Sequence, residues 1–75
     1  MSIQIIENKL QTFETKYNEI KASGDKNIVA EIETALKGIK TSLEEAKAQS
    51  GEEAEVTIGS LLESVNEIED YINSL

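Results

Sequence analysis

The chain has 75 residues and a net charge of −8, and it contains no Cys, His, Pro or Trp. Without Cys or His it has no disulfide, no thiolate or imidazole metal ligand, and no Cys or His for nucleophilic or acid–base catalysis. We therefore expect no catalytic site, no metal and no cofactor, and a single small domain stabilised by regular helix packing.

The charges are unevenly distributed along the chain. All seven basic residues are lysines and precede residue 50, whereas residues 50–75 carry seven acids and no base. An acidic chain without Arg lacks the bidentate donor that suits phosphates and base edges, so we expect no nucleic-acid partner. The sequence has no apolar run of about 18 residues, and its first residues do not resemble a signal peptide. We therefore expect a protein without a membrane partner that is cytoplasmic or is exported by a route that needs no cleaved signal.

The first predicted helix runs from about Ser2 to Ala22, with Ser2 as its N-cap. Its apolar residues recur at steps of three and four, which is a heptad seam on one face of a helix. They are Ile3, Ile6, Leu10, Phe13, Tyr17 and Ile20. Acids (Glu7, Glu14) line one edge of this seam and lysines (Lys9, Lys16) line the other. Such edges can determine which neighbouring helix lies on which side.

A tight turn follows at Ser23-Gly24-Asp25, where Gly24 is predicted as a left-handed cap and Asp25 as the next N-cap. The second helix, about residues 26–49, continues the same three-four steps. Its seam is Val29, Ile32, Leu36, Ile39, Leu43 and Ala46, widened by Ile28 and Ala35. Residues 41–45 resemble a capping box that would start a separate helix, but the seam crosses them in phase, so we favour one helix.

Further along, Glu33 and Lys37 are predicted to form an ion pair at i,i+4 spacing. The second turn is residues 49–51, in which Ser50 and Glu53 match a capping box. The third helix, about residues 52–73, has another heptad seam. Its members are Ala54, Ile58, Leu61, Val65, Ile68, Ile72 and Leu75. Leu62 and Tyr71 flank this seam and, with Ile28, would either close the bundle or form a patch for another chain.

The three seams and two short turns predict an all-α, antiparallel up-down-up three-helix bundle with coiled-coil-like heptad seams. The competing architecture pairs the same hairpins between two chains. Gly38 and Gly59 lie inside helices and away from the seams, at a cost of about 1 kcal/mol each relative to Ala. They are either tolerated or places where a partner helix approaches closely.

Glu63, Glu67 and Asp70 share one face of the third helix by their i, i+4, i+7 spacing. We consider this face either a solubilising surface or a partner-binding one. The composition favours a small non-enzymatic interaction or assembly module, of adaptor or chaperone-like type, that binds another protein with a basic surface or a second copy of itself. The alternative is an acidic inhibitor or immunity-type protein that masks a basic site through its third helix.

A third hypothesis, a carrier protein or an enzyme, concerns Ser60. Gly59-Ser60-Leu61 resembles the Asp-Ser-Leu segment of acyl carrier proteins, whose serine carries a phosphopantetheine arm at the start of a helix. In this chain Gly59 stands in place of the aspartate, and Ser60 is predicted inside a helix. We therefore interpret Ser60 as an exposed helix serine and assign no family.

Overall fold

A computed structural model describes residues 2–75, with side chains from Ile3 onward, and it contains three α-helices. These are α1 (Ser2–Ser23), α2 (Lys26–Ala48) and α3 (Gly51–Asn73). Each helix packs against the other two in a rod of 42 × 17 × 16 Å. The predicted three-helix bundle is confirmed, and every helix end lies within one residue of its predicted position. The capping role predicted for Ser2 concerns a side chain outside the described part.

The core of the rod is built from the predicted seams. From Ile3 onward nine apolar side chains are buried, and all of them occupy seam positions: Ile6, Phe13, Ile32, Leu36, Ile39, Leu43, Ala46, Leu61 and Val65. Further seam residues from both ends of the bundle pack around them. Each fully buried aliphatic side chain contributes about 1.5–3 kcal/mol through removal from water, which makes these seams the main source of stability.

The flanking residues close the bundle. Ile28, Leu62 and Tyr71 all pack against the buried core, so they complete its sides instead of forming a separate patch. The seam prediction is wrong at Leu75, which is 57% exposed. Because α3 ends at Asn73, Leu75 lies beyond the last helical residue.

The first turn matches the prediction at one residue and corrects it at another. Asp25 is the N-cap of α2, since its carboxylate accepts a hydrogen bond of 2.6 Å from the N–H of Asn27. Gly24 is not left-handed, so the predicted left-handed cap is wrong. Its N–H donates to the carbonyl of Ile20, and a Cβ at this position would meet that carbonyl oxygen at 2.5 Å. Glycine fits at position 24 because it has no Cβ to clash with this oxygen.

The second turn also departs from the prediction. Ser50 is the N-cap of α3, but its side chain makes no capping hydrogen bond, so the predicted capping box is wrong. Among residues 2–75 the left-handed residue is Gly51, with φ of 66°, a region that glycine adopts without strain. The α2 helix continues unbroken through residues 41–45, as predicted.

The charged edges of α1 face different neighbours. Glu7 pairs with Lys47 of α2 at 2.9 Å, and Glu14 pairs with Lys40 of α2 at 2.7 Å. On the other edge, an ion pair of 2.9 Å links Lys9 to a glutamate of α3, Glu69. The acidic edge therefore lies against α2 and the basic edge lies against α3.

Two other charged residues behave differently from this pattern. Lys16, on the basic edge of α1, pairs with Glu19 of its own helix at 3.8 Å. Glu33 accepts a hydrogen bond of 2.8 Å from the hydroxyl of Tyr17. The predicted Glu33–Lys37 pair is not among the ion pairs of the described residues.

Candidate functional site

The predicted partner-binding residues of α3 lie together on its outer side. Glu63, Glu67 and Asp70 are all exposed, whereas Leu61 and Val65, on the opposite side of the helix, are buried. We call these three acids the acidic face. They span two turns of helix, which is roughly 10 Å along the axis.

None of the ion pairs among the described residues includes a member of the acidic face. By contrast, Glu69 lies at the edge of α3 and pairs with Lys9. The described residues also contain no group of three carboxylates positioned to hold a metal ion. The acidic face is therefore a row of separate, solvated charges.

This row has a local energetic cost. Glu63 and Glu67 are like charges at i,i+4 spacing, which destabilises a helix by about 0.2–0.5 kcal/mol. Asp70 lies near the C-terminus of α3, where the helix dipole disfavours a negative charge. No basic residue occurs within α3 to offset these effects. A surface that departs from local stability rules in this way is typical of functional sites.

Three grooves run along the bundle, one between each pair of helices, and the α1/α2 groove is crossed by polar contacts. It contains the Glu7–Lys47 and Glu14–Lys40 ion pairs. The hydrogen bond from Tyr17 to the Glu33 carboxylate raises the pKa of the tyrosine, and desolvation and the carboxylate charge raise it further. The phenol is therefore protonated at neutral pH and provides no phenolate base.

The same groove shifts the pKa of a lysine. Lys47 has a raised pKa, chiefly because its ammonium donates a hydrogen bond to Glu7, and the charge of that glutamate adds to the effect. The lysine therefore stays charged across the neutral range. The α1/α2 groove is thus crossed by ion pairs and hydrogen bonds within the chain, whose residues also line two depressions of about 330 and 250 Å³.

The α2/α3 groove differs, because its polar contacts lie near its two ends. Near one end the hydroxyl of Tyr71 donates to Glu31 at 2.6 Å, which raises the pKa of the tyrosine. Near the other end the hydroxyl of Thr57 donates to the side-chain oxygen of Gln49 at 2.6 Å. Between these contacts lies a depression of about 280 Å³. Its lining residues are Ala35, Gly38, Ile39, Ser42, Ser64, Glu67 and Ile68.

Sequence reasoning missed this groove. Ala35 was predicted to flank the seam, and Gly38 was considered either tolerated or a place of close helix approach, but their common position was not recognised. The signal was present in the sequence as small residues at three-residue and four-residue steps, Ala35, Gly38 and Ser42. The member of the acidic face that borders the groove is Glu67.

The two interior glycines are open to solvent. A Cβ built on Gly38 or Gly59 meets no atom within 4 Å, so no helix of this chain approaches either position closely. Ser60 is exposed in the interior of α3, as predicted, and not at the start of a helix.

The helices of residues 2–75 are each too short or too polar to cross a membrane. Comparisons of the chain with protein-family models, with curated proteins and with solved structures found no match.

Proposed function

We propose that this chain is a small non-enzymatic interaction or assembly module that binds another protein through the acidic face of α3. The observation that carries the proposal is the row formed by Glu63, Glu67 and Asp70, exposed and outside the ion pairs of the described residues. Other acids of the described residues, such as Glu7, Glu14 and Glu69, form ion pairs that link the helices. The three acids of the face make no such link, and they are like charges that share one side of α3.

The chemistry of the face indicates a basic partner surface. Three carboxylates within about 10 Å create a local negative potential. Such a potential accelerates association with a cationic surface and disfavours acidic competitors. The core is already closed by the three helices, so binding needs no unfolding of the module.

The test compares two variants with the same change in charge. The face variant carries Glu63→Gln, Glu67→Gln and Asp70→Asn. The matched control carries Glu44→Gln, Glu52→Gln and Glu55→Gln, three exposed acids outside the face. Immobilised wild type and control should retain a common protein from a lysate of the native host, as quantified by mass spectrometry, and the face variant should lose it. Equal retention by all three chains would contradict the proposal.

A second candidate function is an acidic inhibitor or immunity-type protein that masks a basic site on its target. The charge of −7 within residues 50–75 favours it. Both functions predict an association rate that falls with salt, so the activity of the purified retained protein distinguishes them. An inhibitor should abolish that activity when it is bound in equimolar amount, whereas an interaction or assembly module should leave it intact.

The proposal includes a cytoplasmic location, which fractionation of the native host tests directly. It also leaves room for self-association of the module. Sedimentation of the purified protein over a range of concentrations would determine whether the bundle acts as a monomer or as an oligomer.

A further inference from the structure

We propose that the α2/α3 groove binds a lysine- or arginine-rich amphipathic helix of the partner, which packs there as a fourth helix of the bundle. This inference rests on the proposed function and deepens it, because it names the partner's structure and the place where it docks.

The first argument is the shape of the groove. Its walls are the small residues Ala35, Gly38, Ser42 and Ser64, and its lining includes the side chain of Ile39. Helices pack at interaxial distances of about 8–10 Å, and small side chains at the contact permit the shorter distances. A Cβ built on Gly38 would meet no atom within 4 Å. A helix can therefore approach α2 and α3 closely along this line.

A second depression lies on α2 beside the groove. It is lined by α2 residues alone, Ala30, Glu31, Thr34 and Ala35, and it shares Ala35 with the groove depression. The groove itself lies between two antiparallel helices, and it suits a helical ligand that contacts it through residues spaced by three and four.

The second argument is charge. The residues that line these two depressions include Glu31 and Glu67 and no lysine. The two depressions of the α1/α2 groove each include lysines, and there Lys40 and Lys47 pair with acids of α1. Because the α2/α3 side carries unbalanced negative charge, a cationic ligand complements it and an anionic ligand does not.

The charge also decides between possible occupants. A second copy of this chain, docked through the same groove, would place Glu67 and its neighbours against identical acids, and that repulsion disfavours a symmetric dimer. The helices of the chain itself are already used in the bundle. A basic helix from another protein satisfies both the shape and the charge of the groove.

The test uses a synthetic helical peptide of Lys, Ala and Leu, about 21 residues long, which gives roughly 30 Å of helix. Titrated into the isotope-labelled protein at low salt, it should shift the NMR amide signals of Ala35, Gly38, Ser42 and Ser64. Gly38→Leu should weaken binding by about tenfold or more because its side chain occupies space at the depression that Gly38 lines.

Gly59→Leu is the matched control, because it makes the same substitution at another open position inside a helix. This variant should bind the peptide about as tightly as wild type does. Circular dichroism of both variants should show that the bundle is intact, since Leu is a better helix former than Gly.

Three results would overturn the inference: no saturable binding of the peptide, signal changes confined to the α1/α2 groove, or an equal loss of affinity in both glycine variants. If one of these results were obtained while the face variant still lost the protein captured from the lysate, groove binding would be refuted and the proposed function would stand. If the face variant captured that protein as well as wild type does, the proposed function itself would be refuted.

Discussion

The four glycines of the chain provide a prediction in which the sign of the effect depends on position. Gly38 and Gly59 lie in the interior of α2 and α3, and a Cβ at either position meets no atom within 4 Å. Replacement by Ala therefore recovers helix propensity without a clash, a gain of about 1 kcal/mol at each site. For a domain of this size, such a gain raises Tm by roughly 4–8 °C.

The glycines in the turns should respond in the opposite direction. In Gly24→Ala the new Cβ would meet the backbone oxygen of Ile20 at 2.5 Å, and backbone cannot move aside as easily as a flexible side chain. In Gly51→Ala the residue would have to keep a φ of 66°, which costs an L-residue about 1–2 kcal/mol. Both variants should lower Tm.

Thermal unfolding of the four single variants, followed by far-UV circular dichroism at two protein concentrations, measures these effects. The second concentration matters because association would make Tm depend on concentration. The Gly38→Ala, Gly59→Ala double variant should show nearly additive gains, since the two glycines are on different helices. A fall in Tm for Gly38→Ala or Gly59→Ala would refute the helix assignment at that position, as would a gain for Gly24→Ala.

Three further predictions concern the core, the acidic face and the tyrosines. Leu36→Ala should lower the free energy of unfolding by about 2–5 kcal/mol in chemical denaturation, because Leu36 is only 5% exposed. Leu75→Ala, at an exposed residue, should change it by less than about 0.5 kcal/mol. Similar losses in the two variants would contradict the assigned core. The face variant should keep the helical circular dichroism spectrum and unfold at the same temperature or slightly higher, because it removes like charges; a large fall would make the face structural. Tyr17 and Tyr71 have raised pKa values through their bonds to carboxylates, so their contribution to stability is complete below pH of about 10 and is lost as pH rises through the raised values. Denaturation curves at increasing alkaline pH should therefore fall more steeply for wild type than for the Tyr17→Phe, Tyr71→Phe variant, and parallel curves would show that these bonds do not persist in solution.

Much of the fold could be predicted because one physical signal dominates it. The three-four spacing of apolar residues identifies which side of each helix is buried, and all nine buried residues lie on those sides. Wrong predictions arose at the two turns, where the same residues are compatible with more than one backbone conformation or capping pattern. The left-handed cap was predicted at Gly24, whereas the structure has its positive φ at Gly51, because the backbone of a turn depends on how the two helices are joined in space.

The candidate site was less predictable for a related reason. Exposure of the acidic face follows directly from its spacing on α3, so the sequence could place those residues on one surface. The α2/α3 groove depends on how closely two helices pack and on which polar contacts cross between them. Those contacts join residues far apart in the chain, such as Glu31 and Tyr71, and no local pattern indicates that they meet.

The charged edges explain why α3 lies on one side of the α1/α2 hairpin, a choice that the apolar seams alone leave open. With α3 against the basic edge of α1, Glu69 meets Lys9, while Glu7 and Glu14 meet lysines of α2. Each pair is half-exposed and contributes only about 0.2–1 kcal/mol. The opposite placement would bring α3, which has no base, against the acidic edge, so attraction would be replaced by repulsion. This choice requires one acid of α3, Glu69, and leaves the acidic face without a structural role. Because these three charges do not stabilise the bundle, we look for the function of the acidic face in the binding of a partner.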